Sequence, residues 1–532
     1  MTMHRLHNIF VYGQGSLIVI LLAALAALFT SRASRPGGSR VMLYGLVTAA
    51  VGTAAVDLVL TGWYLFSPTY TDHIEASTAS AAQYFRLGIA LYPQLNSFTF
   101  HGLLYGPLLS ELNSLGYFLG SGVFASKLVG WLAAWAAVGL MLGTTARAGR
   151  FWTWAAANAM ALCVLVAFGN VLTSDRADSL LLLFATAGCF CVVRFSGLAA
   201  LAASAALAGA AADLKLHGPL YLVPALYLWL SEQPPQRARD WVMAALVAVV
   251  AGSLGLCLPF LPENVDLAGY LDYLVLASRH GLSGMELLWN AVFLGSLWAP
   301  LVLVWLALPT LPRRVVLCAA VLFGSESVVC IIAAKPGAGL HHLIPYLSAH
   351  ALLMQRMLEA GSQGSPVEAR SARSTTMALA VVLFGTAWAT LAMFGDLLRF
   401  DLQAPRQEVT RLELERLSGR YPNGMLGVGG ESSYALTYFR PWLTLGGTPQ
   451  TDYGALMDLK LSGVSDAPLA SALAHCQIPY LFIPKGGAPF TIGNHYGGPL
   501  FSDAVRAEFQ SRYAFVEAGK DFDVYGCREK AS

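Results

Sequence analysis

Along its first ~395 residues the chain alternates long apolar runs with short polar or Gly/Pro-rich breaks. A helix needs about 20 mostly apolar residues to cross a bilayer core. Twelve stretches meet or approach that length, near 12–31, 41–62, 123–143, 152–171, 178–195, 197–212, 217–231, 241–260, 286–308, 315–334, 342–358 and 375–395. The run at 217–231 is the shortest. After Asp396 the pattern changes, and apolar runs become short and broken by Gly, Pro and Asn. There Tyr480–Pro484 and Phe515–Tyr525 read as strands, and Pro468–His475 and Ser502–Tyr513 as helices. The pattern predicts an α-helical polytopic membrane protein of about twelve transmembrane helices over residues 1–396. A small C-terminal extracytoplasmic α/β domain follows over 397–532, long enough for its own core.

Composition agrees. Of 532 residues, 56% are hydrophobic and 12% charged, against about 25% charged in soluble domains, and mean hydropathy is +0.57. A soluble enzyme, a disordered chain and a nucleic-acid binder are excluded. The formal net charge of +2 says little, but its distribution sets orientation. One alternating set of loops holds thirteen arginines, from Arg32, Arg35 and Arg40 to Arg356, Arg370 and Arg373. The other set holds six cations on longer loops: Arg5, Arg86, Arg176, Lys215, Arg279 and Lys335. The positive-inside rule makes the first set cytoplasmic. The reading is a multi-pass cytoplasmic (inner) membrane protein with both termini and the 63–122 loop extracytoplasmic. Ser16–Phe29 could instead be a signal-peptide core. Cleavage there would place Arg32, Arg35 and Arg40 outside, so an uncleaved anchor is preferred.

Six cysteines fall in predicted spans (Cys163, Cys189, Cys191, Cys257, Cys318, Cys330), with no metal-ligand spacing, and read as small apolar packing. Cys476 and Cys527 lie in the outer C-terminal region. In an oxidising compartment they are expected to form a disulfide.

The informative acids lie in outer loops. Asp72 and Glu75, in D-H-I-E, are spaced by three and share a helix face just beyond the second span. Gly88 to Pro93 and His101 to Leu108 follow. The segment 107–119, with Glu111, Asn113 and Ser114, is too short and polar to span and is expected at the interface. Ser174-Asp175-Arg176-Ala177-Asp178 forms a second acidic cluster before the fifth span. Further outer loops carry Lys215, His217, Arg279, His280, Lys335, His341 and His342. Acids and cations therefore converge on one membrane face. A carboxylate there can deprotonate a hydroxyl, and the cations can hold a phosphate as leaving group. The plain alternatives are that Asp72 and Glu75 cap an outer helix, that Asp175 and Arg176 form a surface pair of little energetic weight, and that Lys335, His341 and His342 mark the interface. Glu326 and Asp57 sit inside predicted spans. An ionisable group there should face the bundle interior, paired or protonated. Tyr434, Tyr438, Trp442 and Tyr496 could stack on sugars or simply pack the C-terminal core.

In their order, T-D-H-I-E (71–75), G-x-x-L-Y-P (88–93), Y-G-P-L (105–108), S-D-R-A-D (174–178) and K-P-G-A-G-L-H-H-L-I-P (335–345), the chain resembles the GT-C superfamily of glycosyltransferases. These use polyprenyl-phosphate sugars and include the protein O-mannosyltransferases and the lipid A aminoarabinose transferases. The resemblance covers roughly residues 41–395. It implies Asp72 as general base with Glu75 beside it, and Asp175 or Asp178 assisting the acceptor or a metal. Many relatives carry Lys-Pro-Pro at the interfacial helix, whose Lys binds the donor phosphate. Here Tyr105-Gly106-Pro107 stands instead. The phosphate role then passes to His101, Lys215, Arg279 or Lys335, and Tyr92, Tyr105, Arg176, His217, His341 and His342 are further substrate-binding candidates.

The implied reaction moves a sugar from a polyprenyl-phosphate donor to a lipid, glycan or protein acceptor at the outer face, with inversion. Membrane lipids are partners, nucleic acid is not, and a divalent metal is left open. No Gly-rich phosphate loop or cytoplasmic domain is present to suggest a nucleotide donor. The competing readings are a membrane transporter, which Glu326 and Asp57 favour, and a glycan ligase or polymerase using a diphosphate-linked donor.

Overall fold

The computed structural model describes residues 38–120, 122–146, 151–308, 310–361, 406–494 and 497–528. The spans expected near 12–31 and 375–395, and Tyr496, lie outside the described residues. The other ten spans each coincide with a helix. In chain order these helices, with two more between the second and third spans and one more, α10, between α9 and α11, are α1 (Gly38–Leu65), α2 (His73–Arg86), α3 (Pro107–Leu115), α4 (Gly122–Thr145), α5 (Phe151–Ala167), α6 (Ala177–Arg194), α7 (Gly197–Leu214), α8 (Val223–Glu232), α9 (Ala238–Cys257), α10 (Leu267–Ala277), α11 (Gly284–Ala307), α12 (Arg313–Ile332) and α13 (Leu347–Gly361). Six of them, α4, α6, α7, α9, α11 and α12, are long and apolar enough to cross a membrane. Val59 and Trp63 on α1, Leu246 and Val249 on α9 and Leu306 on α11 remain exposed. Such faces would be a liability in water and are the expected surface toward lipid.

Two of the sequence-read spans are shorter as helices because each opens with 3-10 turns containing proline. Gly218–Leu222 precedes α8, and Leu340–Tyr346, with Pro345, precedes α13. These turns matter because they carry or adjoin His217, His341 and His342. The helix α10, between α9 and α11, is absent from the sequence reading.

The C-terminal residues build a four-stranded sheet in the order β1-β2-β4-β3, from β1 (Met425–Leu426), β2 (Tyr480–Pro484), β3 (Tyr513–Ala518) and β4 (Phe522–Cys527). Helices α14 (406–420), α15 (Tyr453–Leu461), α16 (Ala467–Ala474) and α17 (Asp503–Arg512) pack on it. Strand β2 and helices α16 and α17 match the sequence reading to within two residues. The single strand expected over Phe515–Tyr525 is instead the β3–β4 hairpin. Its turn is closed by the Gly519 N–H donating to the Phe522 carbonyl at 2.8 Å, so an alternating run was read straight through a turn. Cys476 and Cys527 form a disulfide with their Cα atoms 5.7 Å apart.

The C-terminal region is not detached from the helices. One apolar core joins Tyr84, Leu91 and Phe100 of the outer loop to Leu456, Leu473 and Phe501. A buried polar clamp reinforces it: the Arg440 guanidinium donates to Asp452 Oδ2 (3.0 Å) and to Ser77 Oγ on α2 (3.1 Å), and Ser77 Oγ donates to Asp452 Oδ1 (2.9 Å). The Gln450 N–H donates to the Tyr84 hydroxyl at 2.9 Å and the Asp452 N–H to the Thr99 carbonyl at 2.8 Å. Helix α2 is thus held from outside by the C-terminal region.

Candidate active site

Asp72 is the N-cap of α2. Its Oδ1 accepts the Glu75 N–H at 2.9 Å, and Glu75 Oε2 accepts the Asp72 N–H at 3.2 Å, which makes a reciprocal capping box. Capping fixes the Asp72 backbone but occupies only one carboxylate oxygen. The other, Oδ2, accepts from Arg176 Nη1. Arg176 in turn is the N-cap residue of α6. Its Nε donates to Asp178 Oδ2 at 3.3 Å and its Nη2 to His341 Nε2 at 3.0 Å. Asp178 Oδ1 receives Lys215 Nζ at 2.7 Å, and that ammonium also reaches His342 Nε2 at 3.4 Å. His217 stacks near His342, with ring centroids 5.5 Å apart. The Tyr221 hydroxyl donates to the His342 carbonyl at 2.8 Å. Tyr105 completes the group, its ring 5.7 Å from Lys215 Nζ. Lys335 donates to the Ala277 carbonyl at 3.1 Å and sits near enough to bear on His217.

Ends of α2, α6, α7, α8, α12 and α13 thus meet at one end of the bundle. Arg194, Glu232, Arg314 and Arg356 lie toward the other ends of their helices. Close packing at the site end needs small residues. A side chain at Gly106 would place its Cβ 1.6 Å from the Asp213 carbonyl oxygen, and Asp213 Oδ2 accepts the Leu108 N–H at 2.9 Å. Where the resemblance would put the first proline of Lys-Pro-Pro, the chain therefore has a glycine in backbone contact with α7, and Tyr105 stands at the lysine position. Gly130 similarly lets α4 abut the Ser174 carbonyl, 1.7 Å from a built Cβ.

Beneath Asp72 lies a second, buried layer. Glu75 is fully buried and accepts from the Tyr64 hydroxyl (2.6 Å) and the Thr71 N–H (2.7 Å). Lys127, also fully buried, donates to the carbonyls of Tyr64 (3.1 Å), Ser67 (3.3 Å) and Thr69 (2.7 Å) and lies over the Tyr64 ring. Asp175 is fully buried and neither carboxylate oxygen has a hydrogen-bond partner among the described residues. The plain alternative of a surface pair between Asp175 and Arg176 does not hold: Arg176 turns to Asp72 and Asp178, and Asp175 faces the interior. Its carbonyl accepts Asn113 Nδ2 at 2.6 Å.

Electrostatics separates these carboxylates. For Asp72, burial raises the pKa, but the Arg176 guanidinium, His73 and the Glu75 N–H together hold it below its ordinary value. Glu75 goes the other way, through burial and then the Asp72 charge. Burial and then Glu75 push Asp175 well above the usual range. Burial pulls the His341 imidazole down to about 3 against the attraction of Asp178, so it is a neutral acceptor for Arg176. Burial also lowers the Lys215 pKa while Asp178 opposes it. One acid held low near the surface and two pushed up beneath it is a division of environment typical of acid–base sites.

Of the sequence-read candidates, Asp72, Glu75, Asp175, Arg176, Asp178, Lys215, His217, His341, His342, Lys335 and Tyr105 are brought together. Three are not. The Tyr92 hydroxyl donates to the Tyr105 carbonyl at 2.7 Å and its ring packs on Tyr270 and Tyr273. His101 donates from Nε2 to the Ala90 carbonyl (3.0 Å) and accepts Thr99 Oγ1 at Nδ1 (2.8 Å). Arg279 is exposed, and none of the cluster's hydrogen bonds or ion pairs reaches it. Sequence reasoning missed Lys127, although a single lysine inside a predicted span is itself a signal. It also missed the Arg440 clamp, and Tyr438, named as a sugar-stacking or core aromatic, has a hydroxyl that feels the Asp72 and Glu75 charges. Trp442 donates to the Pro68 carbonyl at 3.0 Å and serves packing. Glu326 is buried as expected, accepting from His350 Nε2 and Trp298 Nε1, both at 2.5 Å. Among the described residues no three His, Cys, Asp or Glu side chains form a metal-ligand set.

No family model and no curated protein matches this chain. Solved structures do. ArnT from Cupriavidus metallidurans in the apo state is similar with a TM-score of 0.53 at 14% identity, over 89% of this chain and 97% of that one. The same protein bound to undecaprenyl phosphate gives a TM-score of 0.51 with the same identity and coverage. At that identity the likeness speaks for the fold alone: the chain shares the fold of ArnT, a helical bundle with a small C-terminal sheet region.

Proposed function

We propose that the protein is an integral-membrane glycosyltransferase that moves a sugar from a polyprenyl-phosphate donor to an acceptor at the outer face of the cytoplasmic membrane. The observation that carries this reading is the Arg176 guanidinium, standing between Asp72 and Asp178 with Lys215 and His341 around it. Such a fork suits a phosphate. The ArnT likeness, including the form bound to undecaprenyl phosphate, supports the choice of a lipid-linked donor. The orientation rests on the arginine bias. It puts the cluster, both termini and the 397–532 α/β region outside, with residues 1–396 as the membrane domain.

In the proposed mechanism, the donor phosphate takes Arg176 Nη1 and the Lys215 ammonium. Arg176 then leaves Asp72, and the loss of that cation raises the basicity of the Asp72 carboxylate. The acceptor hydroxyl oxygen attacks the anomeric carbon while Asp72 Oδ2 takes its proton. The carbon–oxygen bond to phosphate breaks, polyprenyl phosphate leaves with the electron pair, and the anomeric centre inverts. Asp178 positions Arg176 and Lys215, and Glu75 and Lys127 position the Asp72 backbone. His217, His342, Lys335 and Tyr105 line the phosphate side, and Asp175 backs the acid layer. Tyr92 and His101 brace the outer loop. Side-chain exposure of 22% leaves Asp72 reachable.

Native mass spectrometry of the detergent-purified Asp72→Asn protein tests this reading. A co-purified polyprenyl-phosphate sugar is expected, and its mass gives the sugar class. Only phospholipid, with no uptake of added polyprenyl phosphate, would overturn it.

A further inference from the structure

At the end of the bundle opposite Arg176, helices α8, α12 and α13 part to leave a cleft of about 710 Å³, open mouth included. Its mouth is set by Ser231 and Glu232 at the end of α8, Arg314 at the start of α12 and Arg356 near the end of α13. Its walls are Leu228, Leu322, Leu352 and Leu353, and its floor is Ala225, Ala349 and Cys189. Small floor residues leave room where larger ones would fill it. From Arg314 to Leu322 is eight residues of one helix, a depth of about 12 Å at 1.5 Å per residue.

Polarity is confined to the mouth. Arg356 pairs with Glu232 at 2.5 Å, yet its Nε is buried with no hydrogen-bond partner among the described residues. Arg314 is exposed beside it. Two guanidiniums face one carboxylate, so the mouth is net positive and holds an unused donor. An unpaired buried donor carries a desolvation cost that an incoming acceptor would relieve. A sugar or nucleotide would bury polar groups against leucine walls without partners. A long apolar chain ending in an anionic, acceptor-rich head matches both parts.

We infer that this cleft binds one acyl chain of an anionic glycerophospholipid, with its phosphate held by Arg314 and Arg356. The location agrees, because this end carries most of the loop arginines, and basic pockets between helices at that level take anionic headgroups. The donor's carrier lipid does not serve both ends. From Arg314 to the end of α12 at Ile332 is eighteen residues, about 27 Å, so a phosphate at Arg176 is nowhere near Arg314. The inference does not depend on the transfer reading.

The test is native mass spectrometry of the full chain in detergent with equimolar dioleoylphosphatidylglycerol and dioleoylphosphatidylcholine. Wild type is expected to retain phosphatidylglycerol about tenfold over phosphatidylcholine. The Arg314→Gln/Arg356→Gln protein should lose that preference, and Ala349→Phe, which fills the floor, should lose the lipid itself. Arg314→Gln alone, at an exposed position, should reduce retention several-fold with folding unaffected. Equal retention of the two lipids by wild type overturns the inference. So does an unchanged preference in Arg314→Gln and Ala349→Phe. Added undecaprenyl phosphate displacing phosphatidylglycerol from wild type but not binding Ala349→Phe would assign the cleft to the carrier lipid, and would also overturn it.

Discussion

Arg176 and Asp72 are 104 residues apart in sequence, yet the guanidinium of one closes on the carboxylate of the other at the meeting point of α2 and α6. The same guanidinium holds Asp178. Asp72 is thus an ionised acid whose cation is shared, and whatever anion competes for Arg176 changes the state of Asp72.

Asp72→Asn is expected to lower turnover by about 10²–10⁴-fold, the usual range for a general base. An asparagine oxygen still accepts the Glu75 N–H, so α2 keeps its cap. Circular dichroism and size exclusion should match wild type. Wild-type turnover would end the general-base assignment.

Arg176→Lys keeps one charge but cannot span Asp72 and Asp178 with a planar fork. The donor KM should rise more than kcat falls. Arg176→Gln leaves two buried acids without that partner, and thermal unfolding should show a loss on the order of 3–5 kcal/mol. A donor KM unchanged in both variants would remove Arg176 from the phosphate site.

The two acids titrate in opposite senses. The Asp72 pKa is depressed, so the stability of its pairing is present above the ordinary carboxylate value of 3.8 and is lost as pH falls through the lower folded value. The Asp175 pKa is raised. From 3.8 upward the unfolded chain loses that proton while the folded one keeps it, so stability falls as pH rises toward the folded value. Asp175→Asn should flatten this decline and raise the unfolding temperature at about pH 8 relative to wild type. A thermal-shift series from about pH 4 to pH 8 checks it. An Asp175→Asn curve parallel to wild type would refute the protonated assignment.

Arg440→Leu removes the ion pair of the buried clamp between the C-terminal region and α2, leaving the Asp452 carboxylate buried without its cation. A loss of about 3–5 kcal/mol is expected. Turnover should fall in the surviving folded fraction, because α2 carries Asp72. Full activity in folded Arg440→Leu would show that α2 is positioned without the clamp.

Cys476→Ser opens a link across 51 residues. The chain-entropy model gives roughly 4 kcal/mol for a loop of that length. Denaturant unfolding of the variant, or of reduced wild type, should show a loss of that order.

Much of the fold was legible in the sequence. Helices in a bilayer must satisfy their own backbone, so apolar length alone marks them. Every expected span within the described residues is a helix. The outer-loop candidates were legible as a set for the same reason, since alternate loops of a helical bundle share one end. The errors fall where local pattern is ambiguous. The β3–β4 hairpin reads as one strand because its turn is only Gly519-Lys520-Asp521, and α10 is masked by the two longer apolar runs beside it.

What the sequence by itself determined was membrane architecture, the two ends of the bundle and which loops carry charge at each. These follow from transfer free energies that act residue by residue. Which acid pairs with which cation was decided only by tertiary structure. Arg176 lies one residue from Asp175 and two from Asp178 in sequence, and it chooses Asp178 and the distant Asp72. That choice is set by the direction each side chain takes from the start of α6. It is also set by Gly130 letting α4 close over the loop, which buries Asp175 away from its neighbour. The roles of Lys127 and Arg440 belong to the same class, since a buried charge is explained only by the partners that folding brings to it.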